Sequence, residues 1–281
     1  MPRCYPFVKW PGGKGQMLPK IETFIPAEFD RYFEPFLGGG AVFFYLSSHM
    51  NFRFDAFLSD INQELINSYY MVKYSEELIS ILKYHQEQYR LYPKAYYYGL
   101  RDRTHSTNDI ESAARFIALN KTCYNGLYRV NKKNIFNVPM GRFNNPLICD
   151  AENLRNTSIL FRELKPQLIV EDYKKVLIEK AREGDFIYLD PPYSPVSTTA
   201  NFTAYTSNGF DQADQIQLAD LFRKLDSRRC NLLLSNSDNP FIRKLYASYS
   251  DCVMKIDANR AINSRASARS GHKELLIRNF N

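Results

Sequence analysis

Five short runs of aromatic and branched aliphatic residues, at 32–35, 54–59, 168–170, 186–189 and 231–234, each break off at a loop carrying Gly, Asp, Asn or Pro. Runs of this length and apolar content read as strands buried on both faces of a sheet. Helical spacing separates the later ones: across 212–225, Leu218, Leu221, Phe222 and Leu225 share one face. Strand–helix alternation constrains the chain to an α/β fold with a mostly parallel sheet. Two final runs, 253–257 and 275–280, are joined by a polar loop and are expected to form an antiparallel edge pair. From 63 to about 160 the period is helical, most clearly at 76–84 and 110–120. A helical domain at 66–159, inserted into a sheet domain made of 1–65 and 160–281, is the expected organisation.

The charge is uneven. The chain holds 37 Lys and Arg against 30 Asp and Glu, a net charge of +7. Residues 112–149 contain no acid but carry Arg115, Lys121, Arg129, Lys132, Lys133 and Arg142. Residues 259–273 repeat the pattern with Arg260, Arg265, Arg269 and Lys273. Outside these two segments acids outnumber bases, so the whole basic excess is local. Local excess is the footprint of a polyanion binder, or of two solvated basic loops. Cys4, Cys123, Cys149, Cys230 and Cys252 form no CxxC pair, which argues against zinc and against a disulfide framework, and no other metal-ligand cluster stands out. No apolar run approaches a membrane span, and residues 1–6 lack the apolar stretch of a secretory signal, so a cytoplasmic protein is expected.

Three glycines, Gly38, Gly39 and Gly40, follow the first strand run. They permit a sharp turn that brings backbone close to a ligand, with a helix N-terminus aimed at it. Asp60 ends the next run, where nucleoside-binding folds place an acid on ribose hydroxyls. The 10–14 stretch, Trp-Pro-Gly-Gly-Lys, does not fit a phosphate loop, since the GxxxxGK-Ser/Thr pattern is absent. The sharpest feature is Asp190-Pro191-Pro192-Tyr193 at the end of an apolar strand. An exocyclic base amine is a weak nucleophile because its lone pair is delocalised into the ring. A carboxylate from Asp190 and the Pro191 carbonyl, stiffened by the Pro-Pro unit, can accept its two N–H groups and localise that lone pair. Tyr193 can stack on the base. The plainer alternative is a strand-ending turn.

Several motifs in order, FVKWPGGK (7–14), FEPFLGGGAVFF (33–44), LSDIN (58–62), YNGLYRVN with FNVPMGRF (124–143), and YLDPPY with TANFTAYTSNGF (188–210), give a resemblance over nearly the whole chain. The chain resembles Dam-type, alpha-group DNA adenine-N6 methyltransferases. The resemblance implies a Rossmann-like methyltransferase sheet, the cofactor S-adenosyl-L-methionine, and double-stranded DNA as substrate. By this likeness Trp10, Lys14, Phe36, Gly38, Gly39, Gly40, Asp60, Asp172 and Asp190 hold the cofactor, although Glu171-Asp172-Tyr173 replaces the more usual Gly-Asp-Phe. Asp190, Pro191, Pro192 and Tyr193 form the catalytic tetrad. Lys9, Tyr124, Asn125, Leu127, Arg129, Pro139 and Arg142 meet DNA, with Arg129 reading guanine, and GATC is the implied site.

Catalysis is then direct in-line transfer to a flipped-out adenine, needing no metal. A monomer, with a cognate restriction endonuclease acting separately, completes the expectation. The alternatives are methylation of cytosine N4 or RNA, a DNA-binding regulator without catalysis and, more remotely, a nicotinamide-dependent oxidoreductase. The 195–208 stretch is expected to be a loop that orders on binding, and 259–273 to contact phosphates.

Overall fold

The computed structural model describes residues 2–50, 52–103, 109–131, 133, 135–193, 210–258 and 272–280. The 195–208 loop, Lys132 and the arginines of 259–271 lie outside them. In chain order, α1 (Leu18–Glu22) and β1 (Arg31–Glu34) precede α2 (Ala41–His49), β2 (Asp55–Asp60) and α3 (Gln63–Met71). Next come α4 (Ser75–Leu91), α5 (Pro93–Arg101), α6 (Ile110–Thr122) and α7 (Ala151–Leu164). Alternation resumes with β3 (Gln167–Val170), α8 (Tyr173–Lys180), β4 (Phe186–Leu189), α9 (Gln212–Ser227), β5 (Asn231–Ser237), α10 (Pro240–Leu245), β6 (Val253–Ala258) and β7 (His272–Arg278).

The seven strands form one sheet in the order β3-β2-β1-β4-β5-β7-β6. The first five run parallel; β7 is antiparallel to β5 and to β6. The fold class read from the sequence is therefore observed, including the antiparallel edge. The last strand begins at His272, three residues before the expected run, because Glu274 pairs with Ser237 and keeps the ladder going through polar residues.

Strand side chains alternate between faces with period two. Tyr32, Phe186 and Tyr188 join an apolar cluster on one face, while Phe33, Ile187 and Leu189 join a second cluster on the other. The first cluster continues through Leu65, Leu82, Tyr97 and Ile117, so α3 to α6 help to cover that face. Helices α8, α9 and α10 cover the other through Val176, Leu218 and Ile242. A parallel sheet needs both covers, and each fully buried Leu, Ile or Phe contributes roughly 1.5–3 kcal/mol. Local signals set the helix starts. Asn62, Asp109 and Asp150 cap α3, α6 and α7, and Asp211 with Asp214 forms a capping box on α9. Each such cap stabilises its helix by about 1 kcal/mol.

The N-terminal arm is fixed by two buried asparagines. Asn153 accepts from the Tyr5 N–H at 3.1 Å and donates to the Tyr5 carbonyl at 2.8 Å. Asn120 does the same for Lys9, at 2.7 Å in each direction. The arm thus has its backbone groups satisfied as in a strand pair, but by side chains of α7 and α6. All five cysteines are free thiols. Burial pushes Cys4 and Cys230 up to about 11 and Cys123 to about 12, which keeps these three unreactive. Among the described residues no helix is long and apolar enough to cross a membrane, and no group of His, Cys, Asp and Glu could hold a metal ion.

Candidate active site

Strands β2, β1 and β4 are neighbours, and their C-terminal ends carry the predicted site residues side by side. The Gly38–Gly40 turn follows β1, Asp60 ends β2 and Asp190 follows β4. Strand order reverses between β1 and β4, and a crevice opens at such a switch point in α/β sheets. Because β7 runs antiparallel, its N-terminal part lies at this same end and brings Glu274 in beside Asp190.

The glycine turn is tight. Gly38 and Gly40 have φ of 47° and 66°, a region that disfavours side chains. A Cβ on Gly38 would lie 2.5 Å from Trp10 Cδ1, so the indole covers the turn only because the position is glycine. The Gly38 N–H donates to Asp60 Oδ2 at 3.1 Å and the Asn62 N–H to Oδ1 at 2.9 Å. Burial raises the Asp60 carboxyl, and these donors oppose the rise. Each carboxylate oxygen still has acceptor capacity for a hydroxyl. At the N-terminus of α2 the cap residue, Gly40, offers no side chain to the leading N–H groups. Phe36 packs on Tyr173 at 4.8 Å and on Phe210 at 6.0 Å, beside Asp172, which caps α8 by accepting from Lys174 N–H. A glycine turn after β1, an acid at the end of the neighbouring β2 and an aromatic wall fit the parts of a nucleoside cofactor: polar tail, ribose and base. Phe210 and Tyr173 stand inside motifs of the resemblance but were given no role there; proximity to Phe36 gives them one.

Asp190 is held at one oxygen by two groups, one of them backed by a third. Lys14 Nζ approaches Oδ1 at 2.8 Å, the Ser235 hydroxyl donates to the same oxygen at 2.8 Å, and Tyr188 Oη lies 3.0 Å from Ser235 Oγ. Burial raises the Asp190 carboxyl, opposed first by the Lys14 ammonium and then by Ser235. Lys14 also donates to the Gly12 carbonyl and stands 3.8 Å from Glu274 Oε2. Tyr193 donates its phenol O–H to Glu274 Oε2 at 2.7 Å, and the Lys14 ammonium sits 4.7 Å from its ring centroid. The Pro192 carbonyl turns back into the protein and accepts from Gln215 Nε2 at 3.0 Å. Gln215 is fully buried and is itself held by Asn236 Nδ2 at 3.0 Å.

Glu34, a member of the FEPF stretch without an assigned role, is buried at the C-terminal end of β1. It accepts from Tyr32 Oη at 2.8 Å and from the Phe43 N–H at 3.0 Å, tying β1 to α2. Burial lifts its carboxyl to about 8.

The predicted DNA-contacting residues form a second group. Cys123 to Phe143 is a hairpin-like loop rather than helix, pinned by bridges Cys123–Met140 and Val130–Phe136. Tyr124 and Asn125 lie in its first turn, with Asn125 at φ 54° and the Tyr124 N–H donating to the Pro139 carbonyl at 2.9 Å. Leu127 is half-buried; Arg129, Pro139 and Arg142 are exposed. Arg129 rests on Asn137, Nε to Oδ1 at 2.8 Å. Lys9 reaches this group from the arm, its ammonium 4.0 Å from the Phe143 ring centroid and 3.5 Å from the Lys121 carbonyl. Burial lowers its pKa. Trp10 stacks on Tyr128 at 6.0 Å and links this group to the glycine turn. Arg115, counted in the basic segment, does not belong to it: it is buried and donates to the Leu100 and Arg101 carbonyls.

Comparison with known proteins gives the family. The family model for D12 class N6 adenine-specific DNA methyltransferases matches residues 10–262. The type II methyltransferase M1.LlaDCHI of Lactococcus lactis subsp. cremoris is 40% identical over 281 residues, covering 98% of this chain and 95% of the relative. The type II methyltransferase M.MjaIII of Methanocaldococcus jannaschii is 43% identical, covering 98% and 99%. A DNA adenine methylase of Serratia marcescens is 36% identical, covering 96% of both. Matched by that family model and by these relatives over most of its length, the chain belongs to the D12 class N6 adenine-specific DNA methyltransferases.

Proposed function

We propose that this protein transfers a methyl group from S-adenosyl-L-methionine to adenine N6 in duplex DNA, within GATC, after flipping the base out of the helix. The observation that carries the reading is Asp190: a carboxylate at the switch-point crevice, held by Lys14 and Ser235 and beside Tyr193. When bound, the cofactor supplies a methyl group on a sulfonium that is already an activated electrophile. The polypeptide then has two tasks, to position the reactants and to make the amine nitrogen more nucleophilic.

Asp190 accepts one N6–H and the Pro191 carbonyl accepts the other, which draws the nitrogen toward tetrahedral geometry. With the Pro192 carbonyl committed to Gln215, the Pro-Pro unit is held in one orientation. Tyr193 holds the flipped ring by stacking. The Gly38–Gly40 turn, Asp60, Lys14, Trp10, Phe36 and Asp172 hold the cofactor. As the N–C bond formed, the donor's S–CH3 bond would break and leave a neutral thioether, and the nitrogen's surplus proton would leave on the side where Asp190 accepts its hydrogen bond and pass to water. The 66–159 domain serves target recognition: Tyr124 and Asn125 enter the opened duplex, and Lys9, Leu127, Arg129 and Pro139 read bases while Arg142 meets phosphate. Work on genomic DNA implies the cytoplasm. The type II designation of two relatives supports a separate restriction endonuclease.

The test is to expose unmethylated plasmid to the purified protein and cofactor, then map modified bases. N6-methyladenine confined to GATC is expected. N4-methylcytosine would overturn the reading, and N6-methyladenine at another sequence would overturn the site.

A further inference from the structure

We infer that Glu274 is a positioning residue for the target base, acting through the phenol of Tyr193. The inference rests on the stacking role proposed for Tyr193 and adds what presets that ring. Nothing in the tetrad itself fixes the tyrosine side chain, which can rotate about two torsions. Two contacts from distant parts of the chain restrict it, one at the backbone and one at the tip of the ring. Gln215, on α9, holds the Pro192 carbonyl and so fixes the peptide leading into Tyr193. Glu274, on β7, accepts the phenol O–H at 2.7 Å and fixes the far end of the ring.

The carboxylate is well suited to this. Its side chain is 7% exposed, yet it faces the Lys14 ammonium at 3.8 Å, which compensates its charge. Burial beside Asp190 and Glu274 raises the Tyr193 phenol far above its ordinary value, so it remains a donor at any working pH. A hydrogen bond from a neutral donor to an ionised acceptor is the stronger kind. The acceptor also comes from a strand rather than a loop, and rigid elements hold first contacts best. Tyr193 is therefore a stacking platform set before the base arrives, and the methyl-transfer step does not await its ordering.

The experiment places 2-aminopurine at the methylated adenine and follows its fluorescence in the complex, together with DNA affinity and the single-turnover methylation rate of unlabelled duplex. Stacking on Tyr193 quenches the flipped analogue. Tyr193→Phe removes only the hydroxyl, and Glu274→Ala removes the acceptor. Each should brighten the probe and slow methyl transfer by about tenfold, the scale of losing a hydrogen bond to a charged group. DNA affinity should change less than about twofold. The double variant should lose little beyond Glu274→Ala. Glu274→Gln, whose amide oxygen still accepts the phenol, should restore quenching.

The inference is overturned if Tyr193→Phe and Glu274→Ala leave quenching and rate near wild type while Tyr193→Ala impairs both, for then stacking holds without the tether. It is also overturned if Glu274→Gln is as bright as Glu274→Ala, since the charge facing Lys14 would then be what matters. Should Tyr193→Ala itself change neither readout, the stacking role is wrong and the inference falls with it.

Discussion

Lys14 and Asp190 make an ion pair of 2.8 Å in which the lysine is nearly sealed, its side chain 4% exposed, while the aspartate keeps an open edge at 21%. The sealed cation and the Ser235 hydroxyl both hold the same carboxylate oxygen, Oδ1. Burial alone would favour the neutral acid, which is a poor acceptor for an amine. The lysine opposes that. kcat/KM should therefore fall on the acid side of a limb lying above the ordinary carboxylate range. Lys14→Met should move the limb to higher pH, because the lost cation no longer favours the ionised form, and lower kcat by about 10²-fold. A pH–rate profile of both proteins checks this; a limb that stays or moves down rules out Lys14 as the counter-ion.

Gly38→Ala should harm cofactor binding more than folding. The new methyl would meet Trp10 Cδ1 at 2.5 Å in a left-handed backbone, so the indole must move off the turn. Strain of this kind costs on the order of 1–3 kcal/mol. Titration calorimetry without DNA should show cofactor affinity reduced about tenfold or more, and an unchanged affinity would mean that Trp10 does not line the cofactor site.

Glu34 sets a pH dependence of stability. Its folded carboxyl, lifted to about 8, keeps a proton that the unfolded chain gives up near its ordinary 4.5. Raising pH through that window favours unfolding, so this contribution is full below about 4.5 and lost by about 8. Glu34→Gln cannot ionise. Thermal melts at matched ionic strength should show its Tm gaining on wild type by about several degrees from the bottom to the top of the window. A constant difference would mean that Glu34 does not hold the proton.

Arg129→Ala should relax discrimination at one guanine without unfolding the hairpin, since the side chain is exposed and, among the described residues, its hydrogen bonds go to Asn137. Losing a bidentate base contact costs about 1–3 kcal/mol of discrimination. Competition between GATC and singly substituted duplexes measures it, and equal preference before and after would remove Arg129 from the readout.

What the sequence made legible were features whose meaning is local. Strand runs ending in Gly38 or Asp190 announce themselves because an apolar run and its loop are contiguous, and the structure lays their ends side by side. Glu274 and Gln215 were illegible for the opposite reason. Their partners lie 81 and 23 residues away, and Glu274 sits in the polar start of a strand whose apolar run begins only at Leu275. Arg115 misled in the same way: composition counts a charge, but only packing shows it capping the end of α5 through the Leu100 and Arg101 carbonyls. The hairpin inside the helical segment was hidden because its bridges pair residues 6 and 17 positions apart in a stretch without alternation.

The arm clasped by Asn120 and Asn153 has a consequence for modularity. Consecutive residues face different workplaces: Lys9 leans on Phe143 of the hairpin, and Trp10 lies over the glycine turn. The unit that would have to be exchanged to give this scaffold a new target site is therefore not the inserted segment alone. A hairpin grafted from a relative arrives with its own demand on the residue at position 9, and Gly126, whose added Cβ would come within 2.5 Å of the Lys9 Cβ, leaves little room to accommodate a mismatch. Chimeras that carry residues 2–10 along with the hairpin should keep both sites intact, whereas those that leave the arm behind force one residue to answer to two architectures.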